Sequence, residues 1–246
     1  MDEHVMFQRL LLPAWLKPAN HCLLCDEHSE HSISGICTAC ELELPWLGGQ
    51  CAACALPLPV DGLVCGSCLK RPPAFDRVIA PWRYAFPVDT LITRFKHQGK
   101  LPLGHLLAEL LAQHIQHGMN DGLSKPDLLL PVPLAGKRLR QRGFNQAELI
   151  CQWLSTALEV PVQKRWLIRQ IDTPAQQQLD AKTRRRNLRS AFQLMTNAEV
   201  KNRHIALVDD VLTTGATAEM LARLLKRAGA AQVDVYCLAR TPRPGE

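Results

Sequence analysis

No apolar run in this 246-residue chain approaches the ~20 residues needed to cross a bilayer, so a helical membrane span is not expected. A basic leader is missing too. The early run from Leu10 to Leu16 is broken by Pro13, is preceded by Asp2 and Glu3, and lacks a small-residue cleavage pattern, so it does not read as a secretory signal. The chain is expected in the cytoplasm, with Val5–Leu16 as a short lead-in helix. Histidine metal sites are also wanting, because His97, His105, His114 and His117 fall at no metal spacing with a carboxylate. Residues 20 to 72 lack the long apolar side chains that would make a core of their own.

That last segment is instead rich in cysteine. Disulfides are a poor account of ten cysteines in a cytoplasmic chain. Eight of them form four Cys-x-x-Cys pairs: Cys22/Cys25, Cys37/Cys40, Cys51/Cys54 and Cys65/Cys68. Each such turn aims two thiolates at one point, and two turns complete the tetrahedral Cys₄ shell of structural zinc. Two zinc sites follow, closed to substrate and supplying much of the segment's folding free energy. The near-equal gaps do not separate consecutive ribbons from a crossed arrangement; consecutive pairing is the expectation. Cys151 and Cys237 read as buried apolar fillers.

Lys70-Arg71-Pro72-Pro73 marks a boundary, since consecutive prolines stop regular structure. Two domains are expected, 1–72 and 73–246. In the second, Asp76–Ala85 reads as an edge strand or extended arm, Pro87 opens a helix with Leu91, Ile92 and Phe95 on one face, and a second helix runs from Leu103 to about His117. Lys96 and Lys100 lie between these helices, where they reach either a polyphosphate or only solvent. Asp127–Val132 and Val162–Ile168 read as buried strands, a helix spans about Asn145 to Leu158, and Gln232–Leu238 closes the sheet. Strands alternating with helices give an α/β fold with a doubly wound parallel sheet.

The most informative stretch is His204–Thr217. Ile205–Val208 reads as a strand buried on both faces, ending in Asp209 and Asp210, where open α/β sheets hold ligands. Thr213, Thr214, Gly215, Ala216 and Thr217 then lead into a helix, and N–H groups converging at its start make a phosphate cradle. Two acids beside that cradle suit vicinal sugar hydroxyls, which together imply a phosphorylated ribose. After the Asp127–Val132 strand, Lys137, Arg138, Arg140 and Arg142 crowd four cations before Gly143 and a helix-capping Asn145, a setting for pyrophosphate. The long polar stretch after Ile171 carries Gln176, Arg184, Arg185, Arg186, Asn187 and Arg189, candidates for phosphate or nucleic-acid contacts. From Lys137 to Arg189 there are twelve basic and four acidic residues, whereas residues 1–80 hold five basic and nine acidic. The basic excess therefore belongs to the crevice-forming part, where it focuses attraction for a polyphosphate or a single nucleic-acid strand. Phe144 and Trp153 read as core packing before base stacking.

The string from Ile205 to Thr217 resembles the phosphoribosyl pyrophosphate (PRPP) signature of type I phosphoribosyltransferases. Joined to Pro131-Val-Pro-Leu134, to Arg142-Gly-Phe-Asn-Gln-Ala147 and to the cysteine pairs, it resembles the ComF family of bacterial competence and DNA-utilisation proteins. The resemblance covers nearly the whole chain. It implies a type I phosphoribosyltransferase-like domain behind a double zinc ribbon, with Asp209 and Asp210 on the ribose hydroxyls, Thr213–Thr217 on the 5′-phosphate, and Arg140, Arg142 and neighbours facing pyrophosphate with Mg²⁺. Arg184, Arg185, Arg186 and Arg189 take the place of the family's hood over the site. Single-stranded DNA and proteins of the DNA-uptake machinery are the implied further partners.

Two functions compete. One is an enzyme that displaces pyrophosphate from PRPP, with Asp209 or Asp210 nearest the positive charge developing at C1. The other is a binding module that senses PRPP or a nucleotide while basic segments and ribbons hold single-stranded DNA. No acceptor base is legible, which counts against the first; both acids and the full threonine-rich loop are present, which counts against a dead site. A purely structural scaffold explains eight zinc ligands but not Asp-Asp followed by Thr-Thr-Gly-Ala-Thr.

Overall fold

The structure is a computed structural model that describes residues 21–28, 35–170 and 191–242. The lead-in helix expected at Val5–Leu16 and the arginines 184, 185, 186 and 189 lie outside the described residues. The chain divides into two compact units, Met1–Leu44 and Pro45–Glu246. The first four cysteines belong to the smaller unit and the second four to the larger.

In the smaller unit the two cysteine turns are built differently. The first is a hairpin closed by an antiparallel bridge between His21 and His28, with Cys22 N–H donating to Glu27 O at 2.8 Å. In the second, Cys37 caps helix α1 (Thr38–Leu42) and its sulfur accepts from Cys40 N–H. The larger unit repeats the plan: Cys51 N–H donates to Leu56 O, and Cys65 stands before helix α2 (Gly66–Lys70). In both hairpins the residue four past the first cysteine, Asp26 or Ala55, has positive φ and returns a hydrogen bond to that cysteine's carbonyl.

Beyond α2 come strands β1 (Arg77–Ile79) and β2 (Trp82–Arg83), then helices α3 (Val88–Gln98) and α4 (Leu101–Asn120). The two helices approach closely at Gly104, where a Cβ would lie 2.6 Å from the Phe95 ring. Strand β3 (Leu128–Pro131), helices α5 (Gly136–Arg142) and α6 (Gln146–Leu158), and strands β4 (Leu167–Arg169) and β5 (Phe192–Leu194) follow. Strand β6 (His204–Leu212), helix α7 (Ala216–Arg227) and strand β7 (Gln232–Arg240) complete the described elements.

The main sheet is parallel, in the order β1-β7-β6-β3, with β2 also on β7. Its strands are apolar almost throughout because both faces are covered. Ile205, Leu207, Val233, Val235 and Cys237 share one core with Leu221, Ala222 and Leu225 of α7 and with Cys51, Cys54, Cys65 and Cys68. The alternate residues of each strand face the other side, where α6 packs on β3 and β6 and against α4. No helix among the described residues is long and apolar enough to cross a membrane.

Three expectations need correction. Val162–Ile168 is not a strand of this sheet: Val162 makes only an isolated bridge to Leu129, while β4 pairs antiparallel with β5 in a separate two-stranded sheet. Gln163-Lys164-Arg165 interrupts it, since polar side chains there have no place between two covered faces. Gln232–Arg240 does not close the sheet but lies inside it, because β1 and β2 take its far edge. The segment from Lys137 to Arg142, where a phosphoribosyltransferase-like sheet is expected to carry its pyrophosphate loop, is a short helix ended by Gly143 at φ 79°.

Candidate functional site

The apolar part of β6 is buried, as its composition requires, but the strand continues past the acids to Leu212. It can do so because β7 is equally long and pairs with it through Asp209↔Cys237, Val211↔Ala239 and Leu212↔Arg240. Asp209 and Asp210 therefore sit within the last turns of pleat rather than after the strand. Asp210 N–H donates to Asp209 Oδ1 at 2.9 Å. Desolvation, reinforced by the negative charge of Asp210, pushes the Asp209 carboxyl up to about 7. The Asp210 N–H and the Lys96 ammonium oppose that rise. Near neutrality one of the two acids is thus poised between its charged and protonated forms.

Lys96 comes from the last turn of α3 and places its ammonium 3.0 Å from Asp210 Oδ2. The same residue lines a cavity of about 400 Å³ with His97, Gln98, Arg138, Arg142 and Phe144. So the structure brings together Lys96, Arg138 and Arg142, two of them anticipated as pyrophosphate ligands. Lys137 and Arg140 are exposed and do not line this cavity. Arg142 Nη1 donates to Gln146 Oε1 at 3.0 Å. Asn145 caps α6 as its identity suggests, accepting from Ala147 N–H and donating to Val132 O at the end of β3. Phe144 and Trp153 both pack against Phe95, at 5.7 and 6.0 Å between ring centroids.

After Leu212 the chain turns through Thr213, Thr214 and Gly215 into α7. Gly215 is the N-cap, at φ 73° and ψ 3°. A Cβ there would meet nothing within 4 Å, so the requirement for glycine is backbone conformation and not space. Thr214 Oγ1 accepts from Ala216 N–H at 3.3 Å. The opening N–H groups of a helix have no intrahelical carbonyl partner, and here they stand at the carboxyl end of the sheet beside open space.

One arginine at this end was not anticipated. Arg240, the last residue of β7, is 7% exposed. Its Nη1 lies 3.0 Å from Leu212 O and 2.5 Å from Thr213 O, while its Nε donates to Cys54 O at 2.9 Å. Lys96, at 17% side-chain exposure and paired with Asp210, is not a solvated helix end.

The cysteines gather as two consecutive groups, Cys22/Cys25/Cys37/Cys40 and Cys51/Cys54/Cys65/Cys68, each with its sulfurs within 4.8 Å of one another. Zinc bound tetrahedrally at about 2.3 Å sets sulfurs about 3.8 Å apart. Cys25 and Cys37 stand at that spacing, 3.8 Å, as do Cys54 and Cys65. Backbone N–H groups of Leu24, Cys40 and Cys65 point at the sulfurs of Cys22, Cys37 and Cys51. In Cys22 and Cys51 burial raises the thiol, but such N–H contacts outweigh it and lower them to about 6 and about 7. Burial and the crowded sulfurs raise Cys40 and Cys68 instead. Four sulfurs that cannot all ionise together fit a dication at their centre.

The phosphoribosyl transferase domain family matches residues 104–246 and the double zinc ribbon domain family matches residues 8–69. The DNA utilization protein YhgH of Escherichia coli O157:H7 is 40% identical over 174 residues, covering 70% of this chain and 76% of that protein. Competence protein F of Haemophilus influenzae is 35% identical over 224 residues, covering 89% of this chain and 96% of that one. Among solved structures, the hypoxanthine phosphoribosyl transferase of Trypanosoma cruzi superposes with a TM-score of 0.38 at 16% identity, over 57% of this chain and 74% of that one.

Proposed function

The chain belongs to the phosphoribosyltransferase-type ComF family of competence and DNA-utilisation proteins, with a double zinc ribbon, and from that premise we propose that its crevice binds PRPP with Mg²⁺ in the cytoplasm. The observation that supports this reading best is the end of β6: two acids, then a glycine-capped helix start, with Lys96 paired to Asp210 and lining a cavity together with Arg138 and Arg142. Each part matches one part of the ligand. Asp209 and Asp210 accept from the ribose hydroxyls, the turn Thr213–Thr217 holds the 5′-phosphate, and the guanidinium forks of Arg138 and Arg142 take pyrophosphate oxygens. Lys137 and Arg140 supply attraction from the rim. Magnesium, bound with the ligand, supplies charge neutralisation of the pyrophosphate.

If pyrophosphate departs, the negative charge gathering on it faces Arg138, Arg142 and Lys96, while Asp209 and Asp210 face the positive charge at C1. On PRPP binding Lys96 exchanges Asp210 for a phosphate oxygen, which frees that carboxylate for the sugar. The role in DNA utilisation or uptake is the family's.

A second reading is a non-catalytic module for single-stranded DNA or for sensing PRPP or a nucleotide, favoured by the twelve-to-four excess of basic residues between Lys137 and Arg189. Calorimetric titration of PRPP and Mg²⁺ into zinc-loaded protein, beside Asp209→Asn/Asp210→Asn, separates the two. Saturable binding that the variant lacks supports the PRPP site and warrants a screen of nucleobases for pyrophosphate release. Absence of binding by folded wild-type protein sinks it and leaves strand binding, tested by a salt dependence that flattens when Arg184, Arg185 and Arg186 are neutralised.

A further inference from the structure

We propose that Arg240 is a positioning residue that couples the second cysteine group to the turn Leu212–Thr214, so that metal at Cys51, Cys54, Cys65 and Cys68 tightens the phosphate site. This rests on the reading of that turn as a phosphate site. The geometry is that of a buried clamp. One guanidinium reaches Cys54 O inside the metal knuckle through Nε, and Leu212 O, Thr213 O and Thr241 O through Nη1, at 2.9, 3.0, 2.5 and 2.7 Å. A buried cation held by main-chain carbonyls is stable only while those dipoles converge on it. The carbonyls of Leu212 and Thr213 are thereby fixed in direction, and with them the N–H groups of Thr213 and Thr214 in the same peptide planes, which open the phosphate turn.

The metal group fixes the other acceptor. Cys54 is itself a ligand residue, and Cys65 N–H and Ala55 N–H both bond back to Cys51, so the position of Cys54 O depends on the knuckle being closed. All four cysteines of this group are buried in the same core as α7. A second tie runs the same way, from Ala74 N–H to Glu219 in the first turn of α7 at 2.7 Å. Lysine at position 240 would keep the charge and much of the stem but replaces the planar fork with a single nitrogen, which cannot reproduce the separate Nε and Nη1 contacts.

The test is peptide-resolved hydrogen exchange on the full zinc-loaded chain, with cysteine alkylation read peptide by peptide. Cys65→Ser/Cys68→Ser should raise exchange at 212–217 by at least about fivefold, the lower bound of a real coupling. Cys37→Ser/Cys40→Ser should not, and residues 146–158 serve as the internal control. In metal-loaded Arg240→Lys, exchange at 212–217 should already be raised, alkylation should quicken at Cys51, Cys54, Cys65 and Cys68 but not at the first four cysteines, and breaking the second group should add nothing. By reciprocity PRPP with Mg²⁺ should slow alkylation of the second group in wild type. Unchanged exchange at 212–217 when the second group is broken overturns the coupling. If that variant loosens residues 146–158 as well, Arg240→Lys decides, and movement at only one of its two ends refutes the clamp. Raised exchange together with no PRPP binding by wild type leaves the coupling standing and removes the phosphate reading.

Discussion

Asp209→Asn should make the protein more stable at pH 8 while abolishing PRPP binding. In the folded chain the Asp209 carboxyl is raised from 3.8 to about 7, first by desolvation and then by Asp210. Between those values the folded state holds a proton that the unfolded state has released. Stability therefore falls as pH climbs through that window, and the full cost is present above it. Each tenfold change in acidity is worth about 1.4 kcal/mol, which sets a ceiling of about 4 kcal/mol. Local relaxation and access of water reduce this, so about 1–3 kcal/mol is expected. Asparagine keeps an oxygen for the Asp210 N–H and removes the charge. For a chain of this size the melting temperature should rise by about 3–10 °C at pH 8 and hardly at all at pH 3, below both values, where Asp209 is protonated in the folded and unfolded chain alike. Scanning calorimetry of both proteins at the two pH values measures it. A difference that is equal at both pH values, or a variant less stable at pH 8, would refute the account of Asp209 as a desolvated carboxyl held at a cost for function.

Lys96→Met should weaken PRPP binding by roughly 5- to 30-fold, the loss of one charge-assisted contact of about 1–2 kcal/mol. Because the ammonium opposes the rise of Asp209, the upper end of the pH window over which stability declines should also move upward; a calorimetric pH series in which that end stays put would count against it. Gly104→Ala should cost about 1–3 kcal/mol in overpacking against Phe95, partly offset by better helix propensity. A melting temperature at or above wild type would show that α3 and α4 can separate at no cost. Cys54→Ser should leave Cys51, Cys65 and Cys68 unable to close a Cys₄ site and lower the melting temperature of the larger unit, with about one zinc lost per chain by elemental analysis.

Local chemistry was legible where it is self-contained. Leu128–Leu130 and Ile205–Val208 are apolar on both faces, so they could only be covered strands. Asn145 suits a helix cap, and eight cysteines in four successive Cys-x-x-Cys pairs suit structural metal better than redox chemistry. What depends on a distant partner was hidden. The continuation of β6 through Asp209 and Asp210 is set by the length of β7, and no feature of Val211-Leu212 announces it. Val162–Ile168 has strand-like ends, but Lys164 and Arg165 cannot be covered on both faces, and the sheet accepts only Val162. Lys96 follows an apolar stripe in the manner of any helix end. The one signal for Arg240 was a cation closing the run Val235–Ala239, which reads as an ordinary strand terminus until Cys54 O is seen beside it.

The interior position of β7 has a consequence for how the molecule is made. Val233 and its partner Asp76 are 157 positions apart, yet their contact joins neighbouring strands. During synthesis β1 and β6 each wait with a bare hydrogen-bonding edge until the last strand emerges between them, and the slow closure of so long a loop precedes any gain from pairing. An arrest or truncation before Gln232 would remove the middle of the sheet rather than its margin. The nascent chain would be left with two exposed, aggregation-prone edges, a natural substrate for chaperones.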